Sequence, residues 1–261
     1  MIQILLNGCN GRMGKAIQNI VASREDMQIV AGVDIQVDES NLTAKNGFPV
    51  FEKMTDAEVS ADIIVDYSHH TTVNAITEAA IERKIPLVIA TTGHTDEEKE
   101  LIFQTAKRIP VFYTGNMSIG INLLMALSKK AAAALGSDFN IEIIEKHHNK
   151  KLDAPSGTAL MLADAVASVT DYDAEYVYDR HSVRRPRAIN EIGIHSVRGG
   201  NIVGEHEVLF AGENEMIVLS HSALSRDLFA NGPVRAIEFM IGKPAGHYTM
   251  SDCMEELLKN K

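Results

Sequence analysis

Five basic side chains, Lys146, His147, His148, Lys150 and Lys151, fall within six positions, just ahead of Asp153-Ala154-Pro155-Ser156-Gly157-Thr158. An imidazole exchanges protons near neutrality and an ammonium group holds anions, so the run offers acid–base chemistry beside a negatively charged ligand. Serine and threonine favour helix starts because their oxygens accept free backbone N–H groups. Ser156, Gly157 and Thr158 are therefore expected to open a helix that continues through Leu160, Met161, Ala163 and Val166. The start of a helix attracts anions through the same N–H groups and the helix dipole. A small dicarboxylate can rest one carboxylate on the Gly157–Thr158 amides and another against the lysine–histidine cluster, with one histidine as proton donor. No metal is expected here. His147 and His148 point to opposite faces of an extended segment, and neither Cys9 nor Cys253 lies nearby to complete a zinc site.

These side chains need elements to hold them. Ile141, Ile143 and Ile144 with Glu142 and Glu145 read as the strand that delivers the basic loop. At the N-terminus, the strand Ile2–Asn7 runs into Gly8-Cys9-Asn10-Gly11-Arg12-Met13-Gly14 and a helix with Ile17, Ile20 and Val21 on one face. Strand, glycine loop and helix form the phosphate-binding turn of a dinucleotide site, here spaced G-x-x-G-x-x-G. The next strand, Met27–Val33, ends in Asp34, where an acidic residue meets the adenosine ribose hydroxyls.

The pattern continues with the strand Ile63–Asp66, a helix over Thr72–Arg83, the strand Leu87–Ala90, a helix over Asp96–Lys107 and the strand Val111–Tyr113. Such alternation predicts a Rossmann-type doubly wound parallel sheet, an α/β domain with ligands at the carboxyl ends of its strands. The strand-end turns Thr91-Thr92-Gly93 and Thr114-Gly115-Asn116-Met117 are expected to face the cofactor. His69 and His70 also follow a strand and are not assigned to catalysis.

After Met117 the pattern changes. Ile119–Leu135 reads as one long helix stopped by Gly136, and Asp171–Arg187 reads as an exposed loop whose RHSVRRPR portion is a mobile surface segment. Strands are expected at Ile192–Arg198, Ile202–Phe210 and Met216–Ala223, separated by hairpin turns at Gly199-Gly200 and Gly212–Glu215. With the Ile141 strand they make a second α+β domain with a mixed, open sheet. Its other face must be covered, which predicts a homo-oligomer. His195, His206 and His221 are read as structural. Terminal helices follow at Gly232–Ile241 and Ser251–Leu258. The division is 1–117 with 229–261 for the dinucleotide and 118–228 for substrate and oligomerisation. Hinges near Met117–Ser118 and Arg226 would close the basic loop over the nicotinamide.

The chain has 261 residues, 45% hydrophobic and 23% charged, within the ordinary range of a globular protein. A net charge of −10 argues against nucleic acid or an anionic membrane as partner and sets the local basic cluster apart. Two cysteines make no disulfide framework, no secretory signal is read at Met1–Leu6, and no apolar run is read as long enough to span a bilayer. The expected location is the cytoplasm.

The motifs resemble those of the 4-hydroxy-tetrahydrodipicolinate (dihydrodipicolinate) reductase family of lysine and diaminopimelate synthesis. GCNGRMG is similar to its N-terminal turn, and EKHHNKKLDAPSGTA matches its most specific block. ATTG, GNMSIGIN, VRGGNIVGEHEV and SRDLFANG are similar to further blocks in the same order. The resemblance implies that His147 is a proton donor or acceptor, that Lys151 is a proton donor, and that His148, Gly157 and Thr158 bind substrate carboxylates. It implies cofactor contacts at Gly8, Cys9, Asn10, Gly11, Arg12, Met13, Asp34, Ala90, Thr91, Thr92, Thr114, Gly115, Asn116 and Met117. It also implies a tetramer built through sheets of the second domain, and reduction of a cyclic enamine–imine by NADH or NADPH. Ile35 stands where members that use NADPH well often carry Arg, which favours NADH, although Arg12 or Lys15 could compensate. Pro233 and GHYTM also depart from the usual Ala and GLYDM. The readings set against this one are another two-domain nicotinamide-dependent dehydrogenase and a non-catalytic NAD(H)-sensing protein. A semialdehyde dehydrogenase would need a mid-chain cysteine nucleophile, and a sugar oxidoreductase would need Pro where His147 stands.

Overall fold

The computed structural model describes residues 1–37, 47–182, 184–225 and 228–259, the side chains of 228–230 and 258–259 excepted. The hinge expected at Arg226 and part of the SRDLFANG block lie outside the described residues. The chain divides into two compact units, Met1–Met117 with Asp227–Lys261, and Ser118–Arg226.

The first unit is built on seven parallel strands: β1 (Ile2–Asn7), β2 (Met27–Val33), β3 (Val50–Phe51), β4 (Ile63–Asp66), β5 (Leu87–Ile89), β6 (Pro110–Tyr113) and, after the second unit, β12 (Gly246–Tyr248). Their order across the sheet is β12-β6-β5-β4-β1-β2-β3. The strand order reverses at β1, between β4 and β2, which is where doubly wound sheets bind ligands. The central strands are apolar along most of their length, as parallel strands covered on both faces must be: Ile4, Leu5 and Leu6 of β1 and Ile63, Ile64 and Val65 of β4 are all 0% exposed. Helices α1 (Arg12–Ala22), α2 (Val73–Arg83) and α3 (Asp96–Ala106) connect the strands, and α6 (Leu228–Met240) and α7 (Met250–Lys259) return to this unit. Helix α3 opens on a capping box between Thr95 and Glu98. Helix α6 begins before the Gly232 start read from the sequence. Pro233 sits within it, and Gly232 is needed because any Cβ there would overlap the Met117 carbonyl.

The second unit is a five-stranded mixed sheet backed by two helices, α4 (Ile119–Leu135) and α5 (Gly157–Ala167). Its strands β7 (Asn140–His147), β8 (Glu175–Val177), β9 (Glu191–Arg198), β10 (Gly204–Ala211) and β11 (Met216–Ala223) lie in the order β11-β10-β7-β9-β8. This corrects the sequence reading in two places. Gly199-Gly200 is not a hairpin turn: β9 pairs parallel with β7, and the chain then passes the end of β7 to pair β10 antiparallel on its other side. The glycine turn is anchored there by Gly199 N–H to the His147 carbonyl and by Asn149 N–H to the Gly200 carbonyl, at 2.9 and 3.2 Å. The loop read over Asp171–Arg187 contains the edge strand β8. The β10–β11 hairpin closes as expected, with Gly212 N–H donating to the Glu215 carbonyl at 2.9 Å.

Ile119–Asp138 is 20 residues long with mean hydropathy 1.2, long and apolar enough to cross a membrane by length and composition, contrary to the sequence reading. Leu124 and Ala132 of this segment pack with Ile141, Ile143, Leu162 and Phe210 in the core of the second unit.

Candidate active site

In the first unit the turn between β1 and α1 can take only glycine at its tight points. Gly8 has φ +77°, and a Cβ there would lie 2.6 Å from the Tyr67 carbonyl. At Gly14 a Cβ would overlap the Gly8 carbonyl, so α1 presses directly against the turn. The N-cap of α1 is Gly11, with no side-chain cap and no acidic residue in the first turn, which leaves its amide end open to an anion.

Beside this turn is a cavity of about 690 Å³ lined by Gly8, Gly11, Asp34, Tyr67, Ser68 and Thr72 among others, within the size range of cofactor sites. Asp34 accepts from Asn10 N–H at 2.8 Å and Gln36 N–H at 2.9 Å, which fixes its carboxylate at the end of β2. Glycines at close approach, an open helix start and a held carboxylate together fit a dinucleotide.

Asp66, at the end of β4, is 1% exposed. It accepts from Asn7 at 2.7 Å, Ser68 Oγ at 2.5 Å and Thr91 Oγ1 at 2.6 Å, joining the ends of β1, β4 and β5. Burial pushes its carboxyl up, against the hydrogen bonds from Ser68, Thr91 and Asn7.

In the second unit β7 alternates faces, so Ile141, Ile143, Glu145 and His147 all turn toward the helices. Glu145 is 0% exposed. Arg198, paired opposite His147 on β9, grips it with two hydrogen bonds of 2.6 and 2.8 Å, and Ser156 N–H adds a third at 3.1 Å. Burial pushes the Glu145 pKa up, but Arg198, His147 and Ser196 outweigh it and hold the group at about 2. The carboxylate is therefore ionised and meets His147 Nδ1 at 2.5 Å.

The His147 ring packs edge-on against His206, with centroids 5.1 Å apart. Burial, with the His147 charge next in effect, pushes His206 down to about 4, so it is neutral. Its Nε2 lies 3.1 Å from Ser156 Oγ, which accepts Ala159 N–H as the N-cap of α5. At Gly204 a Cβ would stand 3.1 Å from His147 Nε2, so glycine keeps that nitrogen uncrowded.

The structure divides the basic cluster. Lys146 faces the other side of the sheet, paired with Glu205 at 3.1 Å and Glu207 at 2.9 Å. Lys151 pairs with Asp153 at 2.9 Å, and His148 Nδ1 accepts Lys150 N–H at 3.2 Å. Gly157 is exposed and Thr158 half-buried at the first turn of α5.

Of the expected cofactor contacts, Gly8, Gly11 and Asp34 line the cavity. Asn10 is half-buried and braces Asp34, Arg12 is exposed and Met13 half-buried. Cys9 is fully buried, with its carbonyl accepting from Gln18 and its N–H directed to Val33, so it serves as the inward spacer of the turn. Ala90 is half-buried at the end of β5, Thr91 is buried on Asp66, and Thr92 is exposed. Thr114 and Asn116 are half-buried, Gly115 is exposed and Met117 buried. Residues to which the sequence reading gave no site role are Tyr67, Ser68, His69 and Thr72 at the cavity, and Glu145, Arg198 and His206 around His147. His206, read as structural, packs against the His147 ring. Among the described residues, no group of three or more His, Cys, Asp or Glu is placed to hold a metal.

Residues 2–117 match the family described as dihydrodipicolinate reductase, N-terminus, and residues 120–254 match dihydrodipicolinate reductase, C-terminus. The chain is 47% identical over 256 residues to 4-hydroxy-tetrahydrodipicolinate reductase of Caldanaerobacter subterraneus, covering 98% of this chain and 99% of the relative. It is also 47% identical over 254 residues to the enzyme of that name from Clostridium tetani, covering 97% of each. Among solved structures, the dipicolinate-bound dihydrodipicolinate reductase of Paenisporosarcina sp. TG-14 aligns with TM-score 0.80 and 28% identity, over 95% of this chain and 97% of that one. The WlbA dehydrogenase of Chromobacterium violaceum, at TM-score 0.62 and 13% identity over 98% and 90% of the two chains, shares the fold alone. With both halves matched and relatives this similar across their whole length, the chain belongs to the dihydrodipicolinate reductase family.

Proposed function

We propose that this chain reduces 4-hydroxy-tetrahydrodipicolinate to tetrahydrodipicolinate with NAD(P)H, and that His147 and Lys151 handle the protons. The observation that carries the assignment is His147 on a buried carboxylate, beside a helix start, in a member of this family. The first unit holds the cofactor and the second the substrate.

Loss of water from the hydroxy substrate gives a conjugated C=C–C=N system. A bound nicotinamide supplies the hydride that adds to the far carbon of that system. The displaced electron pair moves toward the ring nitrogen, where neighbouring cations and helix amides stabilise the developing charge. His147 or Lys151 then protonates the middle carbon, which restores the C=N bond and completes the addition. His148, Gly157 and Thr158 receive the substrate carboxylates at the start of α5. The cofactor rests on Gly8, Asn10–Met13, Asp34, Ala90–Thr92 and Thr114–Met117.

NADH is the favoured cofactor. Ile35, 84% exposed beside Asp34, offers no cation to a 2′-phosphate, and the Asp34 carboxylate suits a ribose diol. The enzyme works in the cytoplasm, in keeping with two unpaired buried cysteines. The sheet face opposite the helices carries Met216 and Val218, exposed by 62% and 45%, and pairs between copies to form a homotetramer.

The test is nicotinamide oxidation with enzymatically generated substrate. His147→Gln and Lys151→Ala are each expected to lower turnover about 10²-fold, the scale of lost general acid catalysis. Near-normal turnover in both overturns the assignment, and kcat/KM higher with NADPH than NADH overturns the cofactor preference.

A further inference from the structure

Building on the reading of His147 as the proton-exchanging group, we propose that Glu145 and Arg198 are positioning residues. Arg198 pins an ionised Glu145, and Glu145 fixes His147 as the tautomer with its proton on Nδ1 and Nε2 turned to the substrate.

Donors occupy both oxygens of Glu145. Oε1 accepts from Arg198 Nη2 at 2.6 Å and Ser156 N–H at 3.1 Å. Oε2 accepts from Arg198 Nη1 at 2.8 Å and lies 2.5 Å from His147 Nδ1. An ionised carboxylate is an acceptor only, so the His147 nitrogen facing it must carry hydrogen, whether the ring is neutral or charged. Only Nε2 is then left to gain or lose a proton. Gly204 borders that nitrogen, where any side chain would start 3.1 Å away.

Of the charged groups near His147, Glu145 on its own strand meets Nδ1 and Arg198 stands opposite it in register on β9; His206, packed on it from β10, is neutral. Arg198 Nη2 also donates to the Asp153 carbonyl at 2.7 Å. One guanidinium thus holds both the carboxylate behind His147 and the loop that carries Lys151. A plain structural ion pair between β7 and β9 would need neither the Nδ1 contact nor the link to this loop.

The experiment compares Glu145→Gln, Arg198→Lys and His147→Gln with the unmodified enzyme. Readouts are kcat, KM and ¹⁵N spectra of histidine-labelled protein, with the His147 signals identified by their loss in His147→Gln. A glutamine amide can accept from or donate to Nδ1, so Glu145→Gln is expected to mix the two tautomers. It should lower kcat about 10²-fold or more, with KM changed less than about 3-fold, as when a triad histidine loses its orienting carboxylate. Arg198→Lys keeps a cation but loses the two-pronged grip, so it should lower kcat about 10-fold and leave the tautomer on Nδ1–H.

Unchanged kcat in Glu145→Gln, or a loss with the tautomer intact, overturns the positioning role while leaving His147 in place. A loss confined to KM, or a larger kcat loss in Arg198→Lys than in Glu145→Gln, also overturns it. Near-normal turnover in His147→Gln would instead overturn the reading on which it rests.

Discussion

Acidification should destabilise the second unit through His206 before it reaches the carboxylates. Buried against His147, with His147 and Glu145 on β7, His221 on β11 and Lys151 on the adjacent loop as its charged or titratable neighbours, His206 titrates at about 4 rather than 6.5. In the window between those values the unfolded chain binds a proton that the folded chain refuses. Stability from this group is therefore fully present above pH 6.5 and is lost as pH falls toward 4. The shift corresponds to about 3 kcal/mol at its fullest, of which about 2 kcal/mol falls between pH 7 and pH 5. Glu145 works in the same direction at lower pH. Held at about 2 against an ordinary 4.5, its contribution is intact above pH 4.5 and declines only below that.

The check is urea unfolding of the unmodified protein and His206→Gln, followed by far-ultraviolet circular dichroism at pH 7, 6 and 5 and equal protein concentration. Glutamine can still hydrogen-bond Ser156 but has no proton to refuse. Whatever the variant loses at pH 7, the difference between the two proteins should shift by about 2 kcal/mol in the variant's favour by pH 5. A difference that stays constant across the three pH values would refute the reasoning.

Two further outcomes follow from the glycines. In Gly204→Ala the new methyl would stand 3.1 Å from His147 Nε2, so kcat should fall at least several-fold while NADH binding, measured by fluorescence titration, is unchanged; full activity would show that Nε2 is not the exchanging atom. In Gly14→Ala the methyl would overlap the Gly8 carbonyl, and overpacking of that kind costs about 1–3 kcal/mol. That variant should bind NADH more weakly or melt at lower temperature, and a protein unaltered in both would contradict the close packing of α1 on the turn.

The first unit was legible in the sequence because its strands are covered on both faces. Ile2–Asn7, Met27–Val33 and Ile63–Asp66 read as short, mostly apolar runs, and they occupy those bounds in the structure. What escaped were edge strands of two or three residues, Val50–Phe51, Glu175–Val177 and Gly246–Tyr248, too short to show a period. The Gly199-Gly200 error has a different origin. Two glycines announce that the chain turns, but not which strand it meets next. That choice was made by β7, whose apolar face needed neighbours on both sides.

The site shows how a rule applied to one pair of residues had more to give. Alternation along a strand separated His147 from His148, and the same alternation places Glu145 beside His147 and sends Lys146 to the opposite face. Of the five clustered basic residues, Lys146 pairs with Glu205 and Glu207 on one side of the sheet, and His147 meets Glu145 on the other. Arg198 carried no local signal at all. It reaches Glu145 only because β9 pairs parallel with β7 in the register that sets Arg198 opposite His147. A slip of one residue would turn Arg198 to the far face and leave Glu145 buried without its cation. An unpaired buried carboxylate costs several kcal/mol, so the chemistry of the site and the register of the sheet stand or fall together.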